Sequence, residues 1–320
     1  MQRKVMADIA AVAAFFAVLG CPAAHGAYPT KPVQVIVAFP AGGSVDVMAR
    51  NLAASLSSQL GQQFVVVNRD GASGAIGFSR LAGASPDGYT LGAGPTTPIS
   101  IAPHLMKDIK YGVESFEYIC QTFENVFTIA VPADSPLHSI NDLIAAARAA
   151  PGKLSYGHSG VGTVPHLSIA NFAYRTGIDV IAAPYRGEAF MLPDLLAGRL
   201  SFGGAAVASI VGRNVRVLAV FADRRHFAYP DAPTFAELGM PSMPPGLNGL
   251  FAPRGTPREV LGALERACEQ ATRSDSFRTA AQRLNQPVVF LRGAEFAEVA
   301  RKDFRYKGEL IKALGIKLSD

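Results

Sequence analysis

The sequence predicts a two-lobed α/β protein in which each lobe is a sheet flanked by helices and two hinge strands join the lobes. From residue 33 onward, short apolar runs typical of buried strands alternate with segments of helical periodicity. Such alternation favours right-handed crossovers and mostly parallel sheets. The length of 320 residues exceeds that of one ordinary domain. With 49% hydrophobic and 17% charged residues, the composition is that of a well-packed globular chain.

The N-terminus has the pattern of a secretory signal peptide, predicted to span residues 1–26. A basic start precedes a short apolar core at 9–19 and a stretch of small residues that allows cleavage after Gly26. The apolar core is too short for a comfortable transmembrane helix. The alternative is an approximate lipobox ending at Cys21, whose lipidation would anchor the mature chain. Both interpretations predict a protein that works outside the cytoplasm, in the periplasm.

The predicted elements follow one another in a regular order. Strands are predicted from apolar runs at 33–39, 63–67, 90–94, 126–131, 154–156, 180–182, 200–203, 215–220 and 247–252. Helices are predicted from apolar spacing and caps at 44–60, 74–84, 139–150, 163–176, 188–197 and in a helix-rich tail over 256–314. The segments 127–131 and 247–252 are the candidate hinge strands. They divide the chain into lobe one at 27–128, lobe two at 129–246, and a C-terminal return to lobe one at 247–320.

The charge balance argues against nucleic-acid binding. The formal net charge is +5, but the basic residues are scattered and the longest clusters are pairs such as Arg224-Arg225 and Arg301-Lys302. Mild basicity instead favours the encounter with anionic ligands.

Cysteine usage offers no zinc-binding or redox motif. Three cysteines are present, without a CxxC spacing or a His/Cys cluster. If Cys21 leaves with the leader, Cys120 and Cys268 remain, and an oxidising compartment would let them pair. The helical pattern around Cys268 favours buried free thiols. The expectation is therefore two unpaired cysteines, no metal and no cofactor.

The most informative stretch joins the first predicted strand to the first predicted helix. Helix starts leave backbone N–H groups unpaired, the helix dipole favours an anion there, and glycines allow a ligand to approach closely. The stretch contains no lysine, metal ligand or nucleophile, which suggests binding rather than chemistry. Its candidate ligand contacts are Phe39, Ala41, Gly42, Gly43, Ser44 and Asp46. For Asp46, capping of the helix start is preferred over ligand contact.

Three further segments add candidate ligand contacts. A second Gly-rich turn between a strand and a helix supplies Ser159, Gly160, Gly162, Thr163 and His166. The turn after the strand 180–182 supplies Tyr185, Arg186, Gly187 and Glu188. The loop after the strand 90–94 supplies two hydroxyl groups, from Thr96 and Thr97. The Gly-rich segment 68–77 is interpreted as a packing feature.

An enzymatic alternative comes from the second Gly-rich turn. The segment 157–161 is similar to a nucleophile elbow, and with His158 or His166 as the base for Ser159 it would indicate a secreted serine hydrolase. Valine stands where that motif has its second glycine, and no aspartate is placed by the sequence to orient the histidine. The preferred interpretation is therefore a binding protein with no catalytic residues.

The order and spacing of these motifs resemble the extracytoplasmic receptors of the tripartite tricarboxylate transporters, known as the Bug family. The likeness runs from residue 28 to the C-terminus. The matching stretches are 28–32, 39–46, 67–69, Gly71, Gly74, Gly77, 85–91, 151–154, 159–160, 166–167, 184–187, 250–253 and 255–257.

The resemblance implies a fold like that of type II periplasmic binding proteins, which closes about its hinge on a small solute. It implies a small carboxylate ligand, held by backbone amides and ordered water at the helix starts. It also implies a membrane permease as partner, with the ectodomain of a sensor kinase as an alternative. The protein is expected to be a monomer.

Two departures from the family pattern bear on the ligand. Glu188 stands where the family commonly has a small residue, and the segment 202–209 is apolar where members often carry an aspartate. The preferred interpretation of Glu188 is an exposed carboxylate that complements the helix dipole. In the alternative it faces the cleft and disfavours a second ligand carboxylate, which would point to a nitrogen-containing or aromatic monocarboxylate.

Overall fold

A computed structural model describes residues 28–240 and 242–318, so the predicted signal peptide and lipobox lie outside the described residues. The strands are β1 (Val33–Val37), β2 (Phe64–Asn68), β3 (Thr90–Pro95), β4 (Phe116–Asn125), β5 (Phe127–Pro132), β6 (Ser155–His158), β7 (Ile181–Pro184), β8 (Phe202–Ala206), β9 (Val215–Phe221), β10 (Gly246–Pro253) and β11 (Val288–Arg292). The helices are α1 (Ser44–Leu60), α2 (Ala75–Ala82), α3 (Thr97–Ser100), α4 (Ala102–Leu105), α5 (Ile140–Ala149), α6 (Val164–Thr176), α7 (Glu188–Leu196), α8 (Val207–Ile210), α9 (Arg258–Arg273), α10 (Asp275–Arg283) and α11 (Gly293–Ala313).

These strands form two separate sheets, which confirms the predicted two-lobed α/β class. The first has the order β11-β4-β10-β3-β1-β2 and the second the order β7-β6-β8-β5-β9. In each sheet three neighbouring strands are parallel, and the remaining neighbours pair antiparallel. The parallel strands of each sheet therefore end at a common edge, where the loops before the next helices collect.

The chain crosses between the sheets at two places. It leaves the first sheet after β4 and enters the second with β5, across the single residue Val126. It returns between Phe221 and Gly246. The candidate hinge segments 127–131 and 247–252 are strands β5 and β10, each paired within one sheet, so the crossings lie directly before each of them. The exact division of the chain into lobes stays a prediction.

Both faces of the first sheet are covered because β1 is apolar on both sides. Val35 packs in one core with Met48 of α1, whereas its neighbour Ile36 packs on the opposite face with Phe78 and Phe251. Burial of such large apolar side chains stabilises the fold by about 1.5–3 kcal/mol each. This packing fixes the end of β1, and with it the turn that enters α1.

Strand β4 was not predicted, and its position corrects the expectation for the cysteines. The polar pair Gln121 and Thr122 interrupts the apolar run of β4, yet both residues are buried, at 1% and 3% exposure. Cys120 of β4 lies beneath α9, where it forms a disulfide with Cys268. The prediction of two free thiols is wrong, because the pattern showed that Cys268 is buried but not which strand lies opposite.

The C-terminal helix α11 contacts both cores. Phe296, near its start, belongs to the core of the first sheet, whereas Leu310 and Ile311, near its end, belong to that of the second. Between them, Lys307 is fully buried and donates to Asp303 (2.6 Å). The helix therefore ties the two lobes together. In the described ranges, no helix combines the length and apolar character that crossing a bilayer requires.

Candidate ligand-binding site

The first predicted turn lies at the carboxyl end of β1, where the chain enters α1. Gly42 has φ +82°, a left-handed conformation that favours glycine. Gly43 is the N-cap of α1 and makes no side-chain capping bond. Both glycines are exposed, and Ser44 is half-buried. The turn therefore presents backbone donors at the positive end of a 17-residue helix, a favourable place for an anion.

Asp46 holds this turn from beneath. Its carboxylate accepts hydrogen bonds from Gly42 N–H (2.9 Å), Arg50 Nε (2.9 Å) and Asn68 Nδ2 (2.8 Å), and Asp46 is 2% exposed. Burial alone would raise the pKa of Asp46, but hydrogen bonds from Arg50, Gly42 and Asn68 lower it below its ordinary value. Both carboxylate oxygens thus have hydrogen-bond partners within the chain, which matches the preferred role of Asp46 in stabilising the helix start.

The loops that follow β1, β2 and β3 meet at this edge of the first sheet. Asn68, at the end of β2, donates to the Phe39 carbonyl oxygen (2.9 Å). Gly74 lies against the Phe39 ring and Pro98, and a Cβ at Gly74 would come within 2.6 Å of Pro98 Cγ. The interpretation of the Gly-rich segment as a packing feature therefore holds for this glycine.

The two threonines after β3 differ in their surroundings. Thr96 is 1% exposed, and its hydroxyl oxygen has no hydrogen-bond partner, which is uncommon for a buried polar atom. Thr97 is half-buried and lines a small cavity together with Ser73, Val161 and Gly162. Residues of both lobes therefore face one another across this cavity.

The second Gly-rich turn repeats the design of the first in the other lobe. It joins β6 to α6 through Gly160 (φ +128°) and Gly162 (φ +75°). Thr163 is the N-cap of α6, but its hydroxyl donates to the Gly160 carbonyl (2.7 Å) instead of capping the helix. Backbone donors at the start of this 13-residue helix are thus again uncapped by a side chain.

Two buried histidines support this turn from inside the lobe. His166 Nδ1 accepts from Gly162 N–H (3.1 Å), and His158 Nδ1 lies 2.9 Å from the Gly160 carbonyl oxygen. Burial, together with the nearby His158, lowers the pKa of His166 to about 4, and burial also lowers the pKa of His158. Both imidazoles are therefore neutral at pH 7.

Gly162 is a point where the lobes touch. A Cβ at this position would overlap the Leu105 side chain of α4 and come within 3.5 Å of Ile101. The left-handed φ and this close approach both require glycine here. The sequence-based expectation of a ligand contact at Gly162 did not include this packing role.

The geometry gives no support to the hydrolase alternative. The hydroxyl of Ser159 lies 3.5 Å from Thr163 Oγ1. In the described part of the chain, no hydrogen bond joins Ser159 to His158 or to His166. A serine nucleophile needs its base within hydrogen-bond reach.

The third turn is anchored by Tyr185. Its N–H donates to the His158 carbonyl (3.0 Å), and its hydroxyl donates to Asp194 Oδ2 (2.6 Å). Arg186 is exposed, and Gly187 has φ +119° before α7 begins. The turn is therefore tied to the end of β6, next to the second Gly-rich turn.

Glu188 is not the exposed carboxylate that was the preferred expectation. It is half-buried, and Oε1 accepts from Ala206 N–H (3.1 Å) at the end of β8. The Ser209 side chain is a second hydrogen-bond partner. Burial raises the pKa of Glu188, although these two hydrogen bonds oppose the rise. The expectation failed because the sequence does not show that the end of β8 lies beside the start of α7.

Several residues of this region were not singled out as candidates from the sequence. They are Asn68, Ser73, Leu105, Ala206 and Ser209. The position of Asn68 at the end of a predicted strand was a usable signal. Ser73 has φ +53°, an unusual value for a residue other than glycine. No sequence pattern indicated this backbone conformation.

Two sheets joined by two chain crossings, each sheet with a helix start that no side chain caps, are the architecture of a two-lobed solute-binding protein. A family model described as "Tripartite tricarboxylate transporter family receptor" matches residues 48–316. The chain belongs to this family, as the resemblance predicted.

Known relatives agree with this membership. Protein BugT of Bordetella pertussis is 34% identical over 83% of this chain and 84% of its own length. A TctC solute-binding protein from Polaromonas has a TM-score of 0.80 at 29% identity, covering 89% of this chain and 99% of that one. A structure of an R. palustris protein with adipate has a TM-score of 0.78 at 30% identity, covering 91% of this chain and 99% of that one.

Proposed function

We propose that this protein is a periplasmic receptor that captures a small carboxylate between its lobes and delivers it to a membrane permease of the tripartite tricarboxylate type. The observation that carries the proposal is the pair of uncapped helix starts, at Gly43 of α1 and Thr163 of α6. Each offers backbone N–H groups and the positive end of a helix dipole to an anion. The family membership and the relative with adipate support a carboxylate as that anion.

Neutral donors suit a protein that must release its ligand. Hydrogen bonds from backbone amides exchange against bonds to water at a net gain of only about 0.5–1.5 kcal/mol each. The N–H groups of Gly42, Gly160 and Gly162 donate to side chains of the chain itself. The donors proposed for the ligand are therefore the remaining backbone N–H groups at the two helix starts, which carry no fixed charge. Such a site holds a carboxylate reversibly and leaves it chemically unchanged.

The first test is to identify the solute that the protein carries. Mass spectrometry of ligand released from purified protein gives its identity, and calorimetry with a panel of mono- and dicarboxylates measures affinity. Saturation at 100 times Kd would stabilise the fold by about 2.7 kcal/mol. If no carboxylate binds or stabilises the protein, the proposal is wrong.

A matched pair of variants tests the backbone donor at the first helix start. Ser44 is the first residue of α1, where proline is well tolerated, and Gly43 has the extended conformation (φ −71°, ψ 163°) that a residue before proline requires. Ser44→Pro removes both N–H and hydroxyl, whereas Ser44→Ala removes only the hydroxyl. We expect about a tenfold loss of carboxylate affinity, or about 1.4 kcal/mol, for Ser44→Pro alone. Equal affinities for the two variants would exclude this N–H as a ligand donor.

A further inference from the structure

The carboxylate of Glu188 lies at the edge of the second sheet that carries the Gly-rich turn of lobe two. Strand β6 lies between β7 and β8 and pairs parallel with both, so the carboxyl ends of the three strands share one edge. The turn containing Gly160 and Gly162 follows β6 at this edge, and Glu188 begins α7 after β7. The hydrogen bond of Glu188 to Ala206 N–H (3.1 Å) then reaches the end of β8.

At this edge, the side-chain carboxylate of Glu188 thus already accepts a hydrogen bond from a backbone N–H group. Ala206 is the N-cap of the short helix α8, and its N–H donates to Glu188 Oε1. The Glu188 carboxylate has the side chain of Ser209 as its second hydrogen-bond partner. Backbone N–H groups of this kind are the donors that would otherwise be available to an anionic group of a ligand. The Glu188 carboxylate therefore lies at a position that would otherwise suit a carboxylate of the ligand.

The charge of Glu188 has no partner ion among the described residues. No salt bridge there includes it, in contrast to Asp194 and Asp46, which pair with Arg199 and Arg50. The guanidinium of Arg213 donates to the Ser209 carbonyl (2.8 Å). In its ionised form, a carboxylate without a counter-ion repels a second anion and attracts a hydrogen-bond donor.

We propose that Glu188 makes this receptor selective for monocarboxylates whose far end carries a hydrogen-bond donor, such as an amide or an ammonium group, and selects against dicarboxylates. The inference rests on the proposed function, because it assumes that the first carboxylate binds at the helix starts. The end of the solute opposite that carboxylate then meets Glu188 at the edge formed by β6, β7 and β8. Specificity arises from an unfavourable charge contact with the wrong ligand as much as from a favourable one with the right ligand.

The test compares dicarboxylates with their mono-amides at equal length: succinate with succinamate, glutarate with glutaramate, and adipate with adipamate. Calorimetry measures each Kd for the wild type and three variants. Glu188→Gln removes the charge, Glu188→Ala also frees Ala206 N–H and Ser209, and Glu259→Ala is the control. Glu259 is another first-turn glutamate, exposed on α9.

The wild type and Glu259→Ala should prefer the mono-amide by at least tenfold at the chain length that binds best. Glu188→Gln should reduce this preference, and Glu188→Ala should shift it by tenfold or more towards the dicarboxylate. Thermal melts of all variants show whether each is folded, and the Gln variant preserves the shape of the site. A dicarboxylate preference in the wild type, or a ratio unchanged in both Glu188 variants, overturns this inference while the proposed function stands. Absence of binding by every probe overturns both.

Discussion

His158 and His166 stack with ring centroids 4.3 Å apart and ring planes inclined by 24°. Each ring contacts the backbone of the turn that runs between them, His158 at Gly160 and His166 at Gly162. Both rings are buried, with His158 1% and His166 8% exposed. The stacked pair is therefore a neutral support for the Gly-rich turn of lobe two.

The histidine pair predicts a loss of stability in mild acid. Burial and the nearby His158 lower the pKa of His166 from 6.5 to about 4 in the folded state, whereas the unfolded chain keeps the ordinary value. Between these values the unfolded state binds more protons, so stability is complete above pH 6.5 and falls as the pH drops towards 4. When the pH is lowered from 7.5 to 5.0, protonation linked to His166 alone should reduce the free energy of unfolding by about 2 kcal/mol.

Urea unfolding of the wild type and of His166→Asn at these two pH values measures this loss. Asparagine keeps an acceptor near the Nδ1 position for Gly162 N–H but does not titrate. The variant should lose clearly less stability in acid than the wild type, with the remaining loss due in part to His158. If both proteins lose the same amount, His166 is not the source of the acid sensitivity.

The contact between Gly162 and Leu105 predicts a coupled pair of mutations. Gly162→Ala imposes a left-handed φ on alanine, at about 1–2 kcal/mol, and also drives its Cβ into Leu105. Gly177→Ala is the matched control, because Gly177 has φ +63° and no atom within 4 Å of a Cβ built there. We expect Gly162→Ala to lower the free energy of unfolding and the ligand affinity more than the control does.

A double mutant separates the backbone cost from the steric one. In Gly162→Ala combined with Leu105→Ala, the truncated Leu105 leaves room for the new methyl group, so the two losses should be less than additive by about 1 kcal/mol or more. If the changes in the free energy of unfolding are strictly additive, the methyl group introduced at position 162 and the side chain of Leu105 do not clash, and this contact between the lobes is not tight.

The disulfide predicts that stability depends on redox conditions. Cys120 and Cys268 are 148 residues apart in sequence, so the bond closes a long loop between β4 and α9. Its loss should cost about 2–5 kcal/mol, chiefly through a less restricted unfolded state. Denaturant midpoints with and without a reductant should differ for the wild type. They should coincide for the Cys120→Ala/Cys268→Ala double variant, and a wild type indifferent to complete reduction would contradict this prediction.

Local features of the site could be predicted from the sequence better than its long-range contacts. The strand, turn and helix around Gly42 were predictable because apolar periodicity and glycine positions act within a few residues. Strand β4 was missed because its buried Gln121 and Thr122 break the apolar pattern. The partner of Glu188, Ala206, lies 18 residues away on another strand, and the partner of Cys120 lies 148 away. Such pairings depend on strand order, which periodicity does not encode.

The hydrogen bonds of Asp46 predict that the conformation of the first turn depends on this buried carboxylate. Asp46→Ala would leave Gly42 N–H without its acceptor and would remove one of the two acceptors of the Asn68 amide. It would also remove the ion-pair partner of Arg50, whose side chain is 49% exposed. Loss of a buried acceptor for several donors should lower the free energy of unfolding by about 2–3 kcal/mol. Carboxylate affinity should also fall, because Gly42 and Gly43 are no longer held in place.

Asp275→Ala is the control, since Asp275 is a first-turn aspartate exposed at the start of α10 and far from this turn in sequence. Unfolding curves and calorimetry of both variants decide the matter: equal effects would mean that Asp46 acts only through the helix dipole, and not by positioning the turn.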